Sequence, residues 1–334
     1  MRDGVVADGR ADVYGSLTTT VVRVSVVLPT HGRPDLLGRA IASVRDQAFE
    51  GWELIVVDDN QPGSAARRET EAHMARLRGD GRVRYLRHAA NLGGGAARNT
   101  GIRASRGSLV AFLDDDDEWD RRKLELQVAC LDTAPPGVAA AYCRVRIVNT
   151  RTGRVRRYST PGGSPTVREL LIRNQIGSTS SVVCKRSALE EVGMFDETLP
   201  ARQDVDLYVR LAERYSFCFV DAPLVNLYLH GGPSIGTDYE ASIEAHRRFW
   251  TKYRHGIDND PEVAFSRLRE LGRLLMWARQ HHEAREVLLR AWRIRPTSWE
   301  MAARIALTSS LFRTVSYPVL RFFRHGQWRR SHDG

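Results

Sequence analysis

Residues 108–117 read SLVAFLDDDD, a short and largely apolar run that ends in four consecutive aspartates. A run this short, bounded by polar residues, reads as a buried strand. Residues 24–29 (VSVVLP) and 53–57 (ELIVV) read the same way, and the second runs straight into Asp58 and Asp59. Residues 83–86 add a further short strand. Between these strands, Leu36, Leu37, Ile41 and Val44 recur at helical spacing. Residues 64–78 and 93–105 carry two more helical patterns. Strands alternating with helices imply a Rossmann-like α/β fold, with a mostly parallel central sheet and helices on both faces. In such sheets ligands bind outside the carboxyl ends of the strands, where both acidic clusters fall.

After Pro135 and Pro136 the alternation weakens. Residues 139–148, 154–158, 180–184, 217–220 and 224–229 read as strands, and residues 166–173 and 205–214 as helices. Beyond Asp238 the pattern is helical. The chain of 334 residues is 42% hydrophobic and 27% charged, an ordinary soluble composition. No stretch is long and apolar enough for a transmembrane helix, and no secretory signal is evident. Residues 1–22 read as a flexible leader. Cys130, Cys143, Cys184 and Cys218 form no C-x-x-C pair, which argues against a zinc site and suits a reducing cytoplasm. Net charge is +10, and residues from Ala241 onward hold 18 Arg/Lys against 9 Asp/Glu.

Adjacent carboxylates repel one another, and a divalent cation would relieve Asp114–Asp117. Hard oxygen ligands suit Mg²⁺ or Mn²⁺, shared with substrate phosphates. The bland alternative is a solvated acidic turn at a helix N-terminus. Asp58 and Asp59 could accept from a base N–H or a ribose hydroxyl, or simply form a turn before Pro62–Gly63. Residues 91–101 (NLGGGAARNTG) open a helix with glycines that permit close backbone approach, and Arg98 can meet phosphate. They match neither the P-loop nor the dinucleotide fingerprint. Asp204 is a candidate general base, with N-capping as the alternative. His230, before Gly231–Gly232, could complete a metal site or be structural.

The order of these segments resembles family 2 glycosyltransferases of the GT-A fold, from about Val24 to His230. The motifs that carry the resemblance are VSVVLPTHGRPDLL, ELIVVDD, NLGGGAARNTGI, VAFLDDDDEW, SSVVCKRSALEEVGMFDE and QDVDLYVRL. The resemblance implies a GT-A domain over residues 23–238, with a nucleotide-sugar-binding half (23–120) and an acceptor half (121–238). A basic helical region follows over residues 239–334. Pro29, Thr30 and Arg33 then line the nucleotide pocket, and Asp59, with Asp58 beside it, reads the base. Arg98 and Asn99 flank ribose and phosphate. Asp114 and Asp116 match the ends of the D-x-D element, with Asp115 between them. Asp116 is the main metal ligand, and His230 contacts metal or diphosphate. Asp204 is the base of an inverting displacement, and Trp119 and Phe195–Asp196 shape the pocket. Gln203 stands where the family often has Glu, and the doubled acids leave the metal register open by one residue.

The expected partners are a nucleotide-sugar donor, with UDP as the default nucleotide, and a glycan, lipid-linked or small-molecule acceptor. The basic helices suit an anionic membrane surface, at the inner membrane face, or packing on the domain or in a homodimer. Nucleic acid is not expected, because no recognised binding motif is present. A non-catalytic nucleotide-sugar-binding scaffold and a sugar nucleotidyltransferase are the rival readings.

Overall fold

The computed structural model describes residues 21–157, 161–229 and 238–308. Strand β1 (Val24–Thr30) places Val24, Val26 and Leu28 in one core and Val27 in another, because successive side chains point to opposite faces. On its flanks lie β2 (Trp52–Asp58) and β4 (Leu109–Phe112), both parallel to it, and β3 (Val83–Arg87) extends the parallel set beyond β2. The connecting helices are α1 (Pro34–Arg45), α2 (Ala65–Ala75) and α3 (Gly94–Ala104). Helix α3 lies close on β1 at Gly101, where a Cβ would come within 2.2 Å of Val27 Cγ1. Strand order reverses at β1, which opens a crevice at the carboxyl ends of β1 and β4.

The second half alternates direction. Here lie β5 (Glu118–Trp119), α4 (Lys123–Thr133), β6 (Val138–Asn149), β7 (Val155–Arg157), α5 (Val167–Ile172), β8 (Val182–Lys185), α6 (Arg186–Glu191), α7 (Gln203–Ala212) and β9 (Ser216–Leu229). The sheet order is β3-β2-β1-β4-β8-β6-β9-β5, with β7 paired on β6. Residues 217–229, which read as two strands, form one. The register jumps from Cys143↔Val220 to Arg144↔Pro223, so Asp221 and Ala222 bulge out where a proline cannot donate to the ladder.

Helices α8 (Tyr239–Lys252), α9 (Arg254–Asp258), α10 (Pro261–Trp277), α11 (His281–Ile294) and α12 (Trp299–Leu307) follow. Phe249, Ile257, Val263 and Ala264 belong to the same core as Phe112 and Tyr208, so α8 to α10 pack on the sheet body. Leu271, Leu275, Val287, Leu288 and Met301 form the helices' own core. None of the four cysteines is in a disulfide. Among the described residues no helix is long and apolar enough to cross a membrane. The leader before residue 21 and the basic residues Arg313, Arg321, Arg324, Arg329 and Arg330 lie outside the described residues.

His246 on α8 is 1% exposed and neither ring nitrogen has a hydrogen-bond partner. Burial, aided by the Arg202 and Arg267 cations, pushes its pKa down to about 3 from an ordinary 6.5. Unfolding therefore lets the ring take up a proton. The stability held by its neutrality is complete above about pH 6.5 and is lost as pH falls towards 3. The slope for one such group is about 1.4 kcal/mol per pH unit. His246→Leu is expected to flatten the acid decline in denaturant midpoint between about pH 6.5 and 4. An unchanged slope would show that other groups set the acid limit.

Candidate active site

The four aspartates follow β4 and meet the loop that follows β1. Asp115, only 1% exposed, is held from three sides. Thr30 Oγ1 donates to Oδ2 at 2.8 Å, His31 N donates at 3.3 Å, and the Arg33 guanidinium lies 2.7 Å from Oδ1. Burial pushes the Asp115 carboxyl up to about 7 against the pull of Arg33, with Asp116 and Asp114 adding to the rise. Arg33 also pairs with Asp116, whose backbone carbonyl accepts from Arg39 at 2.7 Å. Asp117 is buried and accepts from Ser180 Oγ at 2.6 Å. Burial, then the charges of Asp114 and Asp116, raise it well above the usual carboxylate range. Asp114 takes the Arg98 guanidinium at 2.5 Å. The protein thus supplies two guanidinium counter-ions to its own acidic cluster.

Asp58 and Asp59 are set differently from each other. Asp58 is fully buried. It accepts from Asn60 N at 2.9 Å, Asn60 Nδ2 at 2.8 Å and the Tyr85 hydroxyl, and lies 3.3 Å from Arg67 Nε. Both its oxygens are bonded within the protein. Asp59 Oδ1 accepts from Leu92 N at 2.8 Å and lies 2.7 Å from His88 Nδ1, while Oδ2 accepts from Gly93 N at 2.8 Å. His88 Nε2 in turn lies 2.9 Å from Thr100 Oγ1. The carboxylate therefore clamps the glycine loop at the start of α3, where Gly93 has φ 90°.

Asn99 is held by the turn that follows α6. Its amide donates to Phe195 O at 2.9 Å and Glu197 Oε1 at 2.7 Å, and accepts from Phe195 N at 2.9 Å. Both amide hydrogens and one lone pair of the oxygen thus go to the 195–197 turn. Arg98 lies alongside, with its guanidinium 5.6 Å from the Phe195 ring centre. Pro29 lies at the end of β1, beside Thr30.

Asp204 sits in the first turn of α7, partly buried, and Oδ2 accepts from Asn174 Nδ2 at 3.1 Å. Burial raises its pKa, opposed by the Val205 N–H and the Arg98 and Arg202 cations, while the Asp114 charge adds to the rise. The carboxylate thus shares one electrostatic neighbourhood with the β4 acids. Gln203 packs under the glycine loop, its side chain 3.2 Å from where a Cβ on Gly95 would stand. Asp206 is committed to Arg210, Lys252 and Tyr253. A cavity of about 550 Å³ opens between Gly93, Leu199, Gln203 and Arg247. His230 lies outside the described residues. Among the described residues, no group of three or more His, Cys, Asp or Glu is arranged to hold a metal. Ser180, Asn174 and His88 escape a sequence reading, because each meets the acids of the site through partners distant in sequence.

The chain path recurs in solved structures. Staphylococcus aureus TarS 1–349 in complex with UDP-GlcNAc matches with a TM-score of 0.57 at 16% identity, covering 91% of this chain and 92% of that one. The Pyrobaculum calidifontis mannosyltransferase PcManGT, in complex with GDP-Man and Mn²⁺, matches with a TM-score of 0.54 at 19% identity, over 89% of this chain and 83% of that one. Likeness at these identities is one of fold, and the fold is that of the GT-A glycosyltransferases. The family model for glycosyl transferase family 2 matches residues 25–193, and the chain belongs to that family. The family is one of glycosyltransferases, so the nucleotidyltransferase reading gives way.

Among curated relatives, the putative colanic acid biosynthesis glycosyl transferase WcaA of Escherichia coli is 28% identical over 70% of this chain and 82% of its own length. The UDP-Glc:alpha-D-GlcNAc-diphosphoundecaprenol beta-1,3-glucosyltransferase WfgD of Escherichia coli is 29% identical over 39% of this chain and 48% of its own. An uncharacterized glycosyltransferase of Rickettsia bellii is 31% identical, and the chain spans 31% of that relative's length.

Asp59→Ala removes the acceptor of two backbone N–H groups. We expect a loss of about 2–3 kcal/mol in stability and faster amide exchange at Leu92 and Gly93. Unchanged exchange at both would show that the loop holds itself.

Proposed function

We propose that this protein transfers a sugar, with inversion, from a UDP-sugar to a hydroxyl or amine acceptor with the help of Mg²⁺ or Mn²⁺. The observation that carries the reading is the partly buried Asp204, raised in pKa and facing the Arg98–Asp114 pair. A carboxylate tuned upward is suited to take a proton near neutral pH. Asp204 takes the acceptor proton as the acceptor attacks the anomeric carbon, and the bond to the diphosphate breaks on the opposite side. Arg98 and Arg33 carry donors that can meet the departing diphosphate. Pro29 and Thr30 line the nucleotide pocket, and the loop clamped by Asp59 lies along the base and ribose.

Asp116 and Asp114 would hold the cation, with Asp115 behind them and His230 as a further ligand. Hard carboxylate oxygens at a strand end fit Mg²⁺ or Mn²⁺, which can bind through one or two carboxylates plus substrate phosphates. When bound, the ion neutralises charge developing on the diphosphate. The nucleotide-sugar complexes of TarS and PcManGT support the donor class.

The acceptor half spans residues 121–238, within a GT-A domain of residues 23–238. We assign the acceptor to glycans or lipid-linked glycans, on the strength of the relatives named for colanic acid and diphosphoundecaprenol chemistry. Work at the inner membrane face suits such an acceptor. Trp299, 75% exposed, with Trp277 and Trp292 at about a third, lies on the basic helices. Exposed tryptophans beside arginines favour a lipid headgroup region.

Calorimetry with UDP, dTDP and GDP, with and without Mn²⁺, tests the donor site. UDP is expected to bind, about ten- to a hundredfold tighter with Mn²⁺, and Asp116→Ala to abolish that gain. Asp204→Asn is expected to bind UDP normally while turnover of a UDP-sugar falls about 10²- to 10⁴-fold. Folded protein that binds none of the three nucleotides would overturn the reading.

A further inference from the structure

Helix α7 begins in an unusual way. Its N-cap, Arg202, has φ 62° and ψ 18°, a left-handed conformation that a side chain with a Cβ disfavours by about 1–2 kcal/mol. Such a residue persists where its surroundings hold it. What holds this one comes from the helical extension. The Arg202 guanidinium pairs with Glu270 on α10, and both side chains are mostly buried. Glu270 also lies 3.3 Å from Arg267 Nη1 and 3.7 Å from Arg273 Nη2. Burial alone would raise the Glu270 carboxyl, but the Arg202, Arg267, His246 and Arg273 neighbours hold it well below the usual range.

The same helix grips Asp204 from a second side. Ser266 Oγ donates to Ile172 O at 2.9 Å, and Arg267 Nη2 donates to the same carbonyl. Ile172 ends α5, and two residues on is Asn174, whose amide donates to Asp204 Oδ2 at 3.1 Å. Asn174 is itself fixed by Ile176 N at 3.0 Å, Gly177 N at 2.9 Å and Gly177 O at 2.9 Å. Neighbouring residues of α10 therefore anchor both the peptide that leads into Asp204 and the amide that bonds its side chain.

We propose that Glu270 is a positioning residue for the transfer reaction: through Arg202 it fixes the start of α7 and compensates one of the two cations that act on Asp204, so that the helical extension sets the geometry and charge of the base. The inference rests on Asp204 being the base. The groups that face Asp204 are Arg98 on α3, Asp114 at the end of β4, Arg202 before α7, Tyr208 on α7 and Asn174 after α5. Those that face Glu270 are Arg202, Arg267, Arg273 and His246.

The test uses the full chain and the kcat–pH profile, whose acid limb reports the base in the bound complex. Glu270→Gln leaves Arg202 uncompensated, so Asp204 becomes a weaker base. We expect kcat to fall about tenfold, donor KM to stay within about twofold, and the acid limb to move to lower pH. Arg202→Gly removes the cation and relieves the left-handed strain. It is expected to lose kcat and move the acid limb to higher pH. Glu270→Asp is expected to restore most of the rate. Opposite shifts in the two variants support the inference. Acid limbs that stay in place in both, with any rate loss matching a lower folded fraction, overturn it. Should Glu270→Gln fail to fold, the shift in Arg202→Gly decides. An Asp204→Asn enzyme of full activity sinks the reading of the base, whatever Glu270 does.

Discussion

Four carboxylates in succession at the end of a buried strand repel one another in a medium that screens charge poorly. The site is arranged around the compensation of that repulsion. Arg33 comes from the loop after β1, Arg98 from the first turns of α3, and Ser180 from the turn before β8. Each comes from a different part of the chain, so the acids draw three separate segments to one point. Thr30 and His31 complete the set by donating to Asp115. Charge compensation and loop assembly are here the same interactions.

The acids divide by what they do. Asp58, Asp117 and Asp206 are buried and bonded within the fold. Asp59 spends its carboxylate on backbone N–H groups and so shapes the glycine loop. Asp114, Asp116 and Asp204 keep some exposure, at the mouth of the crevice. Interior acids thus hold the frame on which the outward ones are presented. A hydrogen-bonded carboxylate costs less to bury than an unpaired one, which explains how the fold tolerates so many.

Much of this is legible in the amino-acid order. The apolar runs at residues 24–29, 53–57 and 108–113 mark buried parallel strands, and a strand's end marks the sheet edge where chemistry collects. The acids are thereby placed correctly on that edge before any coordinates are known. Their individual partners are not legible. Asn99 meets Phe195 and Glu197, almost a hundred positions away, and nothing local distinguishes an asparagine that faces ribose from one that pins a turn. Asp58 and Asp59 are adjacent and alike, yet only contacts to Tyr85, Asn60, His88 and the 92–93 backbone separate their roles. Continuity of β9 through Pro223 is hidden for the same reason, since a bulge needs a neighbouring strand to define it. Ser180 looks like one serine among several and is recognised only by the two aspartates it touches.

The guanidinium groups of Arg33 and Arg98 have one more effect, on how the protein comes into being. Domains whose charged ligands are left uncompensated until an ion arrives fold only when that ion is supplied. Here the counter-ions are covalently part of the chain and arrive with it from the ribosome. The sheet edge thereby gains its charge compensation in the act of folding, from the chain alone.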